Sequence, residues 1–229
     1  STSYRSVRDM RTELWTELDE RNEATLKKSL GSGDLAGALL SIEGAKKEHW
    51  NKLRSRLQRW GYDARQLMTG SAQLTADQAL VRVLAQEAGF EGDADDYHHP
   101  RNSYLTQVVA QRRGMPILLS CIYTLVGRAA GIDVSGISLP GHFMVRVGEV
   151  LLDPFHGGDI RTEEECKEMI SQLASGAFAW RSSFLDDTSV SSTIERVLRN
   201  LIHSHKQLRQ REELYRVVRL LAAMTPGRA

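Results

Sequence analysis

Cysteine is nearly absent from these 229 residues: Cys121 and Cys166 are the two there are. Two thiols at that spacing form neither a disulfide framework nor a metal-binding array, so a reducing, cytoplasmic compartment is expected. Net charge is also lacking. Lys and Arg total 30 against 29 Asp and Glu, for a formal charge of +1. That balance gives no global reason to expect nucleic acid or an anionic membrane surface. No apolar run reaches the roughly 18 residues a membrane span needs, and the N-terminus shows no apolar segment of the signal-peptide type. What remains is an ordinary globular composition, 41% apolar and 26% charged.

Local charge is uneven. The acidic stretch "EAGFEGDADD" (87–96) and the basic tail 193–229 both read as solvated faces. The basic run Lys46, Lys47, Lys52, Arg54, Arg56 and Arg59, with two tryptophans, follows a helical period. It reads as a charged helix surface rather than a nucleic-acid interface.

The first seventy residues are expected to be helical. Val7, Met10, Leu14 and Leu18 form a sparse helical stripe that Gly31-Ser32-Gly33 ends. A second helix is expected from an Asp34 cap to Gly61. In "LTADQALVRVLAQEAGF", Thr75 and Gln78 have capping-box spacing, Leu80, Val83 and Leu84 form the buried stripe, and Gly89 stops the helix. "SYLTQVVAQRR" reads as a short helix ending at Gly114, with Asn102 and Ser103 as its cap. Pro116 then opens "PILLSCIYTLVGRAA" and Gly131 closes it; apolar residues fill most of its circumference, so it should lie at the centre. At the C-terminus, Ile194, Val197, Leu198 and Leu201 are expected to pack on Leu214, Val217, Val218 and Leu221 as an antiparallel helical pair of tetratricopeptide type. The organisation expected is a helical region over 1–72, a core over 73–190 and a helical hairpin over 191–229.

The chemistry concentrates in "LPGHFMVRVGEVLLDPFHGG" (139–158). If Gly148-Glu149 form a two-residue turn, Val147 pairs with Val150, Arg146 with Leu151 and Val145 with Leu152. Alternation then puts His142, Met144 and Asp153 on one face. His142 becomes a diagonal neighbour of Asp153 at about 7 Å between backbones, within hydrogen-bonding reach for the side chains. Such a carboxylate would fix the imidazole's tautomer and raise its basicity. It would serve equally as a structural bond closing a strand end.

"NSYLTQVVAQRRGMPILLSCIYTLVGRAAGIDVSGISLPGHFMVRV", followed by "LLDPFHGG", resembles the SirB family of transglutaminase-like bacterial proteins, over roughly residues 75 to 225. The resemblance implies an α+β papain/transglutaminase-like core, a central helix on an antiparallel sheet, between a helical N-terminal region and a C-terminal helical hairpin. In catalytic members of that superfamily a Gly-x-Cys motif opens the central helix, its cysteine is the nucleophile, and His and Asp follow on strands. His142 matches the histidine and Asp153 the aspartate, but counting back from "GIDV" the cysteine position falls on Pro116.

Two residues compete for the vacant role. Cys121 lies five residues further on, about 140° away in projection, while Ser120, four residues on, is about 40° away on the same face. Cys121 reads as an inert core thiol and Ser120 as a helix serine bonded to backbone. Cys166 has acidic neighbours that would raise its pKa. Asn102, Pro116, His156 and Gly157 are candidates for lining a binding cleft, although the glycine also suits a plain turn. His98 and His99 with Asp95 and Asp96 lack the spacing of a metal site, so neither metal nor cofactor is expected.

The expectation is thus a degenerate, non-catalytic module that binds a protein or peptide in the old cleft. The competing reading is an amide hydrolase or acyl-transfer enzyme using Ser120 or Cys121 with His142 and Asp153. A third is a regulator whose basic tail engages an acidic partner.

Overall fold

The computed structural model describes residues 7–44, 47–173 and 179–224. Side-chain placement begins at Thr16, so the stripe expected at Val7, Met10 and Leu14 lies outside the described side chains, as does Pro226.

Helix α1 (Val7–Gly31) turns into α2 (Leu35–Glu43), whose first turn is capped by Asp34 accepting from the Gly37 N–H at 3.0 Å. The long helix expected from Asp34 to Gly61 is in fact two. Gly44 adopts a left-handed φ of +61° and ends α2, and α3 (Lys47–Thr69) runs straight through Gly61. Gly61 stays helical because it is a point of close approach: a Cβ there would sit 2.5 Å from Ala129 Cβ.

Helix α4 (Ala76–Val81) starts at the expected capping box, continues as a π-turn over Arg82–Glu87, and stops at Gly89 with φ +73°. Leu80, Val83 and Leu84 are all buried. A short strand β1 (Glu91–Gly92) follows, then a 3-10 turn over Pro100–Ser103, helix α5 (Leu105–Gln111) and β2 (Arg113–Gly114), which pairs with β1 in parallel. Helix α5 therefore ends earlier than expected: Arg112 takes a left-handed φ of +65° and the chain becomes a strand.

Helix α6 (Pro116–Ala130) has the predicted bounds, with proline in its first turn and Gly131 as a left-handed cap. Its Ile117, Leu118, Leu119, Ile122, Tyr123 and Val126 are buried, each worth about 1.5–3 kcal/mol of transfer free energy for a side chain of this size. The strands β3 (Val134–Leu139), β4 (His142–Val147), β5 (Val150–Asp153) and β6 (Asp159–Arg161) come next, then helix α7 (Glu163–Leu173) and strand β7 (Asp187–Thr188). The sheet is antiparallel in the order β6-β5-β4-β3-β7. Phe143, Val145, Val147 and Leu152 join the core that contains α6, whereas Ile137, Met144 and Leu151 pack with Cys166 and Ile170 of α7 on the other face. This is the α+β transglutaminase-like arrangement: a buried central helix on an antiparallel sheet, with helices at both ends of the chain.

Helices α8 (Val190–Gln207) and α9 (Arg211–Met224) form the C-terminal hairpin. The expected stripe of α8 is buried, but on α9 the seam is shifted. Leu220 is buried and Val218 is 44% exposed, because α9 also leans on α1, where Arg219 pairs with Glu23 at 2.6 Å and with Asp19 at 3.5 Å. One cluster of buried apolar side chains runs from Leu26 to Leu220.

Candidate functional site

The β4–β5 hairpin has the predicted register: Val147 opposite Val150, Arg146 opposite Leu151, Val145 opposite Leu152. Gly148 turns it with φ +59°, which the first residue of such a turn requires. The consequence is the His–Asp contact. His142 Nε2 lies 2.9 Å from Asp153 Oδ1, and both residues are buried.

Asp153 serves more than His142. Its Oδ2 is 2.7 Å from Nδ1 of His156, its Oδ1 also accepts from the Phe155 N–H at 3.1 Å, and the Arg161 guanidinium lies 3.7 Å away. The 3-10 turn Pro154–His156 brings His156 back over the strand end, and Gly157, at φ +69°, closes that turn. Burial is the largest influence on the Asp153 carboxyl and pushes its pKa up. The hydrogen bonds and charges of His142 and His156 together outweigh it and hold the carboxyl below the usual carboxylate range. With Nε2 committed to Asp153, Nδ1 is the His142 nitrogen left to face another group.

A cavity of about 220 Å³ opens beside His142, and Pro116 at the start of α6 lines it together with Met115 and Ile117. Pro116 and His142, the residues that the resemblance sets at the superfamily's nucleophile and base positions, therefore share one cavity. Ser120 and Cys121 are not brought there. The Ser120 hydroxyl donates to the Phe143 carbonyl at 3.3 Å, across to the strand rather than back into its own helix. Cys121 lines a separate pocket near Thr124 and Asp133, and burial pushes its thiol up to about 12. Cys166 lies under the opposite face of the sheet, its thiol pushed up to about 11 by burial first and then by Asp153.

Asn102 is also elsewhere. It is fully buried, donating through Nδ2 to Asp93 Oδ2 at 3.1 Å and to the Asp96 carbonyl at 2.8 Å, and accepting from Gln111 at 2.9 Å. It pins the acidic loop to α5 and does not cap the helix; Tyr104 occupies the cap position without a side-chain bond. Ser103 donates to Met115 Sδ at 3.0 Å. Of the loop histidines, His99 Nδ1 accepts from the Arg101 N–H and Asp96 pairs with Arg101, so that set does not converge. Among the described residues, the group whose ligand atoms do converge is His142, Asp153 and His156, within 4.8 Å of one another. One nitrogen of each imidazole is spent on Asp153, and the Arg161 cation stands beside it, which suits a hydrogen-bonded cluster better than a metal.

Other cavity walls went unread in the sequence. Tyr97 and His98 come from the acidic loop, and Arg196, Asn200 and His203 from α8. The last three are spaced i, i+4, i+7, a polar row along one helix face, and that was the available signal.

Residues 51–199 match the family model for the transglutaminase-like superfamily, and the chain belongs to that superfamily. It is 38% identical over 130 residues to a UPF0162 protein of Xylella fastidiosa (strain 9a5c), covering 54% of this chain and 46% of the relative. A UPF0162 protein of Pseudomonas aeruginosa is 30% identical over 130 residues, covering 56% of this chain and 47% of that protein. F-box only protein 21 of Mus musculus is 27% identical over 141 residues, covering 56% of this chain and 22% of that protein. The chain thus spans less than half the length of these relatives. No solved structure matches.

Proposed function

We propose that this chain is a non-catalytic, cytoplasmic regulatory module of the SirB type that binds a protein or peptide segment in the cavity beside His142. The observation that carries this reading is Pro116. It lines the cavity with His142, at the first position of α6, and a proline ring offers neither a nucleophile nor a proton. It has no N–H either, so the position cannot donate to an oxyanion as the backbone of a nucleophile-bearing residue commonly does. The bonds of Ser120 and the burial of Cys121 support the same reading, since neither side chain is directed to the imidazole.

Activity-based labelling tests it. Iodoacetamide should modify Cys121 and Cys166 slowly in the native protein, at rates unchanged by His142→Ala, and a fluorophosphonate should leave Ser120 unmodified. Fast labelling of Cys121 or Ser120 that His142→Ala abolishes would establish an acyl-transfer enzyme instead.

A further inference from the structure

Among the described residues, the cavity beside His142 has one permanently charged side chain on its walls, Arg196. His98, His142, His203, Asn200 and Tyr97 line it with Arg196, no Asp or Glu among the described residues does, and Asp153 stands behind His142 at 2.9 Å. Arg196 is half-buried, and its Nη1 donates to two neutral acceptors, Ser138 Oγ at 2.7 Å and the Leu139 carbonyl at 2.8 Å. The Phe143 ring lies 5.5 Å from its Cζ. No carboxylate pairs with it among the described residues, and the ionisable group that bears on its charge is Tyr97. Nε and Nη2 are left for an acceptor that these residues do not supply. Burying a guanidinium without a counter-charge is costly, so an anion arriving there gains more than it would at the surface.

A second feature points the same way. Helix α6, 15 residues long, begins at this cavity with no side-chain cap. The Leu118 and Leu119 amides both donate to the Met115 carbonyl at 3.1 Å, whereas the Ile117 N–H has no acceptor among the described residues. The positive end of the helix therefore lies at the same space.

We infer that this cavity is a carboxylate subsite: it takes a carboxylate of the bound peptide, with Arg196 as its charge-bearing contact. The inference rests on the peptide-binding reading above. A volume of about 220 Å³ admits a carboxylate and the first atoms behind it, not a folded element. The carboxylate can come from a chain terminus or from an acidic side chain, which share this chemistry.

The test is a titration of the full chain followed through the His98 and His203 ring resonances. The probes are N-acetyl-diglycine (a terminal carboxylate), N-acetyl-glutamic acid amide (a side-chain carboxylate) and N-acetyl-diglycine amide (neutral). Saturable shifts are expected with one or both carboxylates, the tighter naming the source, and none with the neutral amide. Arg196→Gln should weaken binding about tenfold or more, as expected for a lost charge-assisted bond, with partial recovery in Arg196→Lys. Asn200→Asp, which keeps Arg196 and its bonds, should weaken it similarly by supplying an internal competitor. The inference is overturned if neither carboxylate gives a saturable shift, or if both Arg196→Gln and Asn200→Asp bind like the native chain. Equal binding of the neutral amide would also overturn it while leaving peptide binding intact. Hydrolysis of a probe would sink the non-catalytic reading instead, and the Arg196→Gln comparison would still decide the subsite.

Discussion

Placing a thiol at the start of α6 is the sharpest probe of the Pro116 position. Pro116→Cys should fold, because the first helical position tolerates many residues; losing the proline costs about 0.4–1 kcal/mol through the unfolded chain. The new sulfur would stand at the N-terminus of α6 and in the cavity that His142 lines. Those are the two influences that lower a thiol pKa, from about 8.5 to between about 3.5 and 7.5 in known sites. Take about 6 as the working value. At pH 6 an ordinary thiol is roughly 0.3% thiolate and this one would be half ionised, a gain of about 150-fold. A thiolate of lower pKa is a poorer nucleophile, by roughly 10- to 20-fold for that shift. The net expectation is alkylation about tenfold faster than an ordinary thiol at pH 6.

The assay is iodoacetamide modification from pH 5 to 9, followed by mass spectrometry. The native cysteines give little background, since burial pushes Cys121 up to about 12 and Cys166 up to about 11. The introduced thiol should show an inflection near pH 6 that moves up by one to two units in the Pro116→Cys/His142→Ala double variant. An inflection at or above pH 8.5, or one indifferent to His142, would mean that the first residue of α6 and the imidazole do not face each other. The alignment of Pro116 with the superfamily's nucleophile position would then be refuted.

Asp153 should be a stability residue. Asp153→Ala leaves two imidazoles and the Phe155 amide without their shared acceptor and should cost about 3–5 kcal/mol in urea unfolding, while a loss under about 1 kcal/mol would contradict the anchoring role. Its folded pKa is depressed, so its contribution is present above the unfolded value near 3.9 and is lost as pH falls through the folded value; Asp153→Asn should flatten that acid limb. Cys121 acts at the other end of the pH scale. Its folded pKa is raised to about 12, so above about pH 9 the unfolded chain ionises first and stability should fall by up to about 1.4 kcal/mol per pH unit. Cys121→Ala should lower stability at neutral pH yet remove that slope, and an unchanged slope would assign the alkaline loss elsewhere. Gly61→Ala should destabilise despite its better helix propensity, worth about 1 kcal/mol, because the new methyl would meet Ala129 at 2.5 Å; a raised Tm would show that α3 and α6 can move apart freely.

Legibility followed the range of the interaction. The β4–β5 register could be read because a period of two and a Gly-Glu turn fix it within twelve residues, and His142–Asp153 follows from that register. Helix α6 could be bounded because Pro116 and Gly131 act locally on φ. Gly44 and Gly61 show where local reading fails. One breaks a helix through positive φ and the other is tolerated for close packing, and the difference lies in Ala129, on another helix. The same limit hid Arg196 and His203. Their row on α8 is visible, but which face meets the cavity depends on how α8 docks beside the sheet. Asn102 was misread as a cap because its partners, Asp93 and Asp96, lie across a loop whose shape composition does not specify.

Asp153 also shows how a His–Asp pair can be held in place by folding alone. Its carboxylate is fully buried and joins the first residue of β4, the end of β5 and the following turn through bonds of 2.7–3.1 Å. A buried carboxylate stripped of such partners costs several kcal/mol, a large share of the stability of an ordinary domain. Changes at either residue are therefore opposed by folding alone, whatever happens at the start of α6. Pro116 has no such tie: the helix accepts its ring at the first turn without losing a bond. Folding alone thus accounts for the His142–Asp153 pair, and the question of catalysis turns on the residue that opens the central helix.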